Sequence, residues 1–217
     1  MKNSFILLPI LLVFFVCKCG AQSVADWENL KSDYAAYLQN PSVENVNKVC
    51  AGITGITEKR KIATPRPESK KSPNEISWYD SPEDKAYGKT VDYIADNFNL
   101  LKQKVKKGDR PSIRLVFRLR GIRDAGEFGE DLDILLDSLI HTNPQLFLEE
   151  LRECRMWVNN LDDLISFLGA QFADEEGQPQ KEYQSRIKDL QKVRMPELIT
   201  LRDECIKILK DEIRQAN

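Results

Sequence analysis

The stretch that decides the fold is Glu127–Leu151, EFGEDLDILLDSLIHTNPQLFLEEL. Its first half carries apolar residues three or four positions apart, which places them on one face of an α-helix. Asn143-Pro144 interrupts this pattern, and a second apolar run begins at Leu146. Because Asn caps helix N-termini and Pro suits the first helical turn, the dipeptide ends one helix and starts the next. The stretch therefore predicts two short helices joined as an αα-hairpin.

The same spacing continues outward in both directions along the chain. Apolar seams at helical spacing run from Val91 to Val105, from Ile113 to Leu119, from Tyr183 to Val193 and from Leu198 to Leu209. No convincing strand interrupts them, so we expect an all-α protein, an irregular helical bundle of short helices joined as αα-hairpins. The alternative is a HEAT-like α-solenoid fragment, which Lys89–Leu168 resembles in helix length and turn type alone.

The N-terminus has the pattern of an export signal. Lys2 precedes the 12-residue apolar run Phe5–Val16, which is too short to span a bilayer core of about 30 Å. Small residues then precede a predicted cleavage site near Ala21, so residues 1–21 are interpreted as a signal peptide. The alternative is a lipid anchor at Cys17 or Cys19, but each follows a large side chain where a small one is required. We therefore expect a secreted or periplasmic protein.

The mature chain is predicted to have three parts. Residues 22–56 form an N-terminal helical hairpin, 57–88 a Pro/Lys-rich linker or arm, and 89–217 a helical domain. The basic residues of the arm include Lys59, Arg60 and Lys61. Such an arm could bind an anionic surface, and weak membrane contact would be confined to it. It lacks interleaved aromatic residues, and the mature chain has 30 basic against 34 acidic residues, so nucleic-acid binding is not expected.

The composition excludes several kinds of active site. His141 is the single histidine, which excludes sites built on two histidines. It follows a predicted helix, where a cationic side chain is ordinary capping. No motif for a metal or a cofactor is met, and no catalytic constellation is convincing. We expect a protein without catalytic activity and without a cofactor.

Two charged rows form the candidate interaction surface. Arg114 and Arg118 lie one turn apart on one predicted helix, with Arg110 a turn earlier. Glu130 and Asp133 lie on the next helix, with Asp137 a turn later. We expect the rows to pair as ions along a solvated strip. Two alternatives are an anion-binding groove lined by the arginines and a hydrolase of the cell envelope that uses Glu130 or Asp133.

Three cysteines remain after signal cleavage: Cys50, Cys154 and Cys205. Each lies on the apolar stripe of a predicted helix, so we interpret the cysteines as small buried hydrophobic residues. The export route also permits disulfides, and Cys154–Cys205 is the candidate pair.

The function predicted from these features is that of a secreted or periplasmic protein-interaction or scaffolding module. Its expected partner is another protein, and the oligomeric state is left open. The alternatives are the carboxylate-dependent hydrolase and the anionic-surface binder.

Overall fold

The structure, a computed structural model, describes residues 24–63, 82–122, 126–158, 160–167 and 178–215, without the side chains of 57–63, 126–127 and 178. Within these ranges the chain forms helices and no strand, which confirms the predicted all-α fold. The helices are α1 (24–39), α2 (Val43–Ala63), α3 (Pro82–Asp96), α4 (Phe98–Lys106), α5 (Arg110–Arg120), α6 (Gly126–Thr142), α7 (Pro144–Cys154), α8 (Leu161–Ser166), α9 (Gln178–Leu190) and α10 (Ile199–Gln215). Two 3-10 turns, Arg155–Trp157 and Pro196–Leu198, follow α7 and precede α10. None of the described helices is both long and apolar enough to cross a bilayer.

The described residues divide into two compact units, one within Met1–Asn97 and the other within Phe98–Asn217. This differs from the predicted division at residue 88, because α3 belongs to the first unit. The predicted arm is also helical at both of its ends, where α2 continues to Ala63 and α3 begins at Pro82. The signal peptide, residues 1–21, and the middle of the arm, 64–81, lie outside the described residues.

The first unit is built around an aromatic face of α1. Trp27, Tyr34 and Tyr37 are buried there at helical spacing. The hydroxyl of Thr90 on α3 lies 3.1 Å from the carbonyl oxygen of Trp27, and the Tyr34 hydroxyl donates to the carbonyl of Asn97 at 3.3 Å. The amide of Asn45 on α2 donates to the carbonyl of Asn40, which closes the turn after α1. These contacts hold α2 and α3 against α1.

The second unit is centred on α5, which packs against α4, α6 and α7. Five large apolar residues of α5, α6 and α7 are all buried: Phe117, Leu132, Leu136, Phe147 and Leu151. The rings of Phe117 and Phe147 lie 5.8 Å apart and join α5 to α7. Burying apolar side chains of this size is the main favourable term in folding.

Side-chain caps set where the helices of this unit begin. The Asp109 carboxylate accepts from the backbone N–H of Ser112 at 3.1 Å, and the Asn143 side chain accepts from that of Leu146 at 3.1 Å. Gly108 precedes the first cap with a φ of 77°, a conformation that glycine adopts without strain. The Asn143 cap confirms the predicted Asn-Pro turn, which places the end of α6 beside the start of α7.

Candidate functional site

Five charged residues meet where α6 packs against α9, and we call them the His141 cluster: Asp137, His141, Glu182, Arg186 and Asp189. Helical geometry explains how they meet. Residues separated by three or four positions share a face, so α6 presents Asp137 with His141 and α9 presents the other three. The facing sides of two packed helices therefore bring together three carboxylates and two basic side chains.

Both ring nitrogens of His141 contact carboxylates. Nδ1 lies 2.7 Å from Asp189 Oδ2, and Nε2 lies 2.7 Å from Glu182 Oε1. The protonated imidazolium has two N–H donors and can donate to both carboxylates at once. Burial alone would lower the pKa of His141, but the hydrogen bonds to Asp189 and Glu182 and the charge of Asp137 raise it above its usual value. The geometry therefore describes His141 as a cation held between α6 and α9.

Arg186 is the second cation of the cluster and is 1% exposed. Its Nε donates to Glu182 Oε1 at 3.1 Å and lies 2.8 Å from Asp137 Oδ1, an ion-pair contact without hydrogen-bond geometry. Its Nη1 donates to the carbonyl of Ile165 at 2.8 Å, which ties α9 to α8. Among the described residues, Nη2 has no hydrogen-bond partner. Burial raises the pKa of Asp137 although Arg186 and His141 favour its charged form.

The cluster also has the donor atoms of a metal site. Asp137, His141 and Glu182 each offer one ligand atom, and these atoms lie within 4.8 Å of one another. The guanidinium of Arg186, however, contacts the same two carboxylates. A cation supplied by the chain itself already neutralises the carboxylates, and a metal ion beside it would meet like-charge repulsion. The arrangement is thus an ionic connection between two helices.

The predicted pairing of the two charged rows is wrong for most of the residues whose contacts are known. Arg114 pairs with Glu150 on α7, while Asp133 on α6 pairs with Arg120. The reason is the helical turn of about 100° per residue, which puts Arg120 on the opposite side of α5 from Arg118. The row of Arg114 and Arg118 therefore faces α7, and α6 is met by Arg120.

Glu150 is a buried charged residue that the sequence interpretation missed. Its side chain is fully buried and accepts from Arg110 Nη1 at 2.6 Å and from Arg114 Nε. Arg110 also pairs with Glu149. The sequence does indicate this burial, because Glu150 lies three residues after Phe147 and so shares the apolar side of α7. Arg110 and Arg114 lie one turn apart on α5, so each contacts a different oxygen of the Glu150 carboxylate.

Arg118 belongs to a surface formed by the end of α5 and the 3-10 turn after α7. Its guanidinium lies over the ring of Trp157, 3.3 Å from the ring centroid. Met156, next in the chain, is 78% exposed, the highest fraction among the large hydrophobic side chains that the structure describes. Arg114, 46% exposed, lies one turn before Arg118 on α5. We call these four residues the α5–α7 surface; the sequence interpretation singled out both arginines but not Met156 or Trp157.

The other predicted site residues are placed as follows. Glu130 is half-buried on α6, and Asp133 is 8% exposed. Burial raises the pKa of Asp133 although Arg120 favours its charged form. Lys59, Arg60 and Lys61 lie in α2, but their side chains are outside the described residues. Of the two carboxylates proposed for hydrolysis, Asp133 is engaged by Arg120 and covered from solvent.

The candidate disulfide is not formed in the structure. Cys50, Cys154 and Cys205 are all thiols. Cys154 and Cys205 are buried on the apolar faces of α7 and α10, where each fills space as a small hydrophobic side chain. Burial raises the pKa of Cys205 to about 12, so its thiolate, the form that reacts, is scarce at neutral pH.

Comparisons with known proteins give no match: the chain matches no protein family, and no curated protein or solved structure is significantly similar to it.

Proposed function

We propose that the protein is a secreted helical protein-binding module that recognises its partner at the α5–α7 surface. The observation that carries this proposal is the exposure of Met156, 78%, next in the chain to Trp157, whose ring lies under the guanidinium of Arg118. Met, Trp and Arg are the residue types enriched in protein interfaces, and Trp and Arg supply most hot spots. A side chain as apolar and exposed as Met156 gains the most from being covered by a partner.

The chemistry of the surface indicates the kind of partner. The planar donor fork of arginine binds carboxylates through two parallel hydrogen bonds. Arg114 already pairs with buried Glu150, yet nearly half of its side chain remains accessible. Stacking on Trp157 restricts the Arg118 side chain before binding, which reduces the entropy lost on association. The partner that fits is a protein segment with an apolar residue flanked by an acidic one.

Secretion is the second part of the proposal, and Phe5–Val16 with the small residues before Ala21 supports it. N-terminal sequencing of the exported protein should begin at Gln22 or within a few residues of it. A lipid-modified Cys17 or Cys19 in the exported form would replace secretion by membrane anchoring.

The binding test compares the mature protein with two single variants in quantitative affinity capture from its native medium or envelope. Met156→Asp places a charge in the α5–α7 surface, and Val43→Asp makes the same change at a side chain that is 59% exposed on α2. We expect wild type and Val43→Asp to capture the same partner protein in equal amounts. Met156→Asp should capture at least tenfold less of it. Trp157→Ala should weaken binding of the purified partner in the same direction.

Two outcomes contradict the proposal at different levels. If Met156→Asp captures the partner as well as wild type does, the binding site lies elsewhere on the protein. If no protein is enriched over an unrelated bait of similar charge, protein binding itself is the wrong function.

A further inference from the structure

We infer that His141 is a proton-dependent latch that holds α9 against α6, so that the attachment of α9 weakens as pH rises through the titration of this one side chain. The latch involves α6 and α9 and does not depend on a partner at the α5–α7 surface.

The charges around His141 balance only while its ring is protonated. Three carboxylates belong to the group: Asp137 from its own helix and Glu182 and Asp189 from α9. Two permanent cations oppose them, Arg186 on α9 and Lys192 in the following turn, which pairs with Asp189. The imidazolium supplies the third positive charge. Loss of its proton therefore leaves one negative charge uncompensated in a partly buried site.

On the neighbouring helices α5 and α7, the buried carboxylates and their arginines form other pairs. On α5, Arg120 pairs with Asp133, and on α7, Glu150 pairs with two arginines of α5. Among the described residues, the cations that the structure pairs with the His141 cluster are those of α9 and the turn after it. His141 is the member of the group whose side chain has an unperturbed pKa, about 6.5, close to neutral pH.

The hydrogen bonds explain why the proton acts on the α6–α9 contact in particular. A neutral imidazole has one N–H, so one of its two carboxylate neighbours would face a nitrogen lone pair at 2.7 Å. Both neighbours, Asp189 and Glu182, lie on α9 while His141 lies on α6. Two contacts between α9 and α8 do not share this proton: the Arg186 donation to Ile165 and the Tyr183 hydroxyl donation to the Ser166 carbonyl at 3.0 Å. Deprotonation should weaken α9 against α6 and leave its attachment to α8.

The pH window follows from the direction of the pKa shift. Because the pKa of His141 is raised in the folded protein, the stabilisation is complete below about pH 6.5 and is lost as pH rises through the folded-state pKa. Burial acts to raise the pKa of Asp189, but hydrogen bonds from Lys192 and His141 lower it, and its contribution is lost only at acid pH. The effects of Asp189 and His141 are therefore separated on the pH scale.

The experiment uses the one histidine of the chain, which gives a single imidazole signal in NMR when the protein carries no histidine tag. The pH titration of this signal in the mature protein measures the pKa of His141 directly. Amide hydrogen exchange of α9 and α5, corrected for the intrinsic pH dependence, is measured over the same range. We expect a midpoint above 6.5 and a rise in α9 opening through it, about tenfold for each unit of pKa displacement, with α5 unchanged.

Two variants sharpen the test. His141→Gln should remove the pH step in α9 exchange, and Thr142→Ala, the neighbouring exposed position, should keep it. A midpoint at or below 6.5 would overturn the latch, as would a raised midpoint without a step in α9 exchange. Because both measurements are made on the wild-type protein, the inference stays testable even if His141→Gln does not fold.

Discussion

Removing both arginines that hold Glu150 should destabilise the protein by more than the sum of the single changes. Glu150 is fully buried, whereas Arg110 and Arg114 are 51% and 46% exposed. Each single Arg→Ala change leaves one guanidinium on the carboxylate, so we expect a loss of about 1 kcal/mol, the upper range for half-exposed ion pairs. The double change leaves a buried charge without a partner, which costs about 3–5 kcal/mol. The coupling between the two arginines is then about 1–3 kcal/mol.

Urea unfolding followed by circular dichroism measures these free energies from one series of proteins. Arg152→Ala is the control, because Arg152 is 45% exposed and its nitrogen lies 3.7 Å from a carboxylate oxygen of the exposed Glu153. It should change stability by about 0–1 kcal/mol. Adding Glu150→Gln to the double variant should recover at least about 1 kcal/mol, because a neutral amide is less costly to bury than a carboxylate.

The result that would refute this reasoning is additivity. If the double change costs only the sum of the single changes and Glu150→Gln recovers nothing, Glu150 does not carry an uncompensated buried charge. A smaller loss at pH 5 than at pH 7 for the double variant alone would support the reasoning, because a carboxylate without partners is neutralised by a proton more readily.

Two further predictions concern the core and the thiols. The Leu136 side chain is 1% exposed, so Leu136→Ala leaves a cavity and should lower the free energy of unfolding in urea by about 2–5 kcal/mol. A loss below about 0.5 kcal/mol would mean that Leu136 is not in the core. Iodoacetamide applied to the native protein should modify half-buried Cys50 well before buried Cys154 and Cys205. Mass spectrometry of the peptides measures the labelling rates, and equal rates would contradict the burial of Cys154 and Cys205.

The helices of the second unit could be predicted because local patterns specify them. Asp109 and Asn143 mark helix starts by their side-chain hydrogen bonds, and the apolar seam of Phe128 and Leu132 marks the buried face of α6. These signals act over a few residues and need no knowledge of the neighbouring helices. The end of α2 is harder to predict: the sequence places the end of the hairpin at residue 56, whereas the helix continues to Ala63.

The charged sites could not be predicted in the same way, since their partners lie on other helices. His141 is 41 residues from Glu182 and 48 from Asp189, and sequence spacing does not show that α9 crosses the end of α6. The sequence spacing predicts the row of Arg114 and Arg118 but not that this row faces α7. The rotation of α5 about its axis decides that pairing, and this rotation follows from packing of the whole unit rather than from α5 alone.

The two buried ionic groups have different consequences for the molecule. Two apolar helix faces can pack in more than one register with similar free energy. A buried carboxylate is stable only in the register that places its hydrogen-bond donors next to it. Glu150 therefore restricts how α5 can lie along α7, and that alignment is what brings Arg118 over Trp157. Its two arginines keep their charge at any physiological pH, so the α5–α7 alignment should not depend on pH. The His141 cluster connects α9 through a histidine whose pKa is raised above its usual value, so the response to pH is expected in α9 while the α5–α7 surface keeps its arrangement.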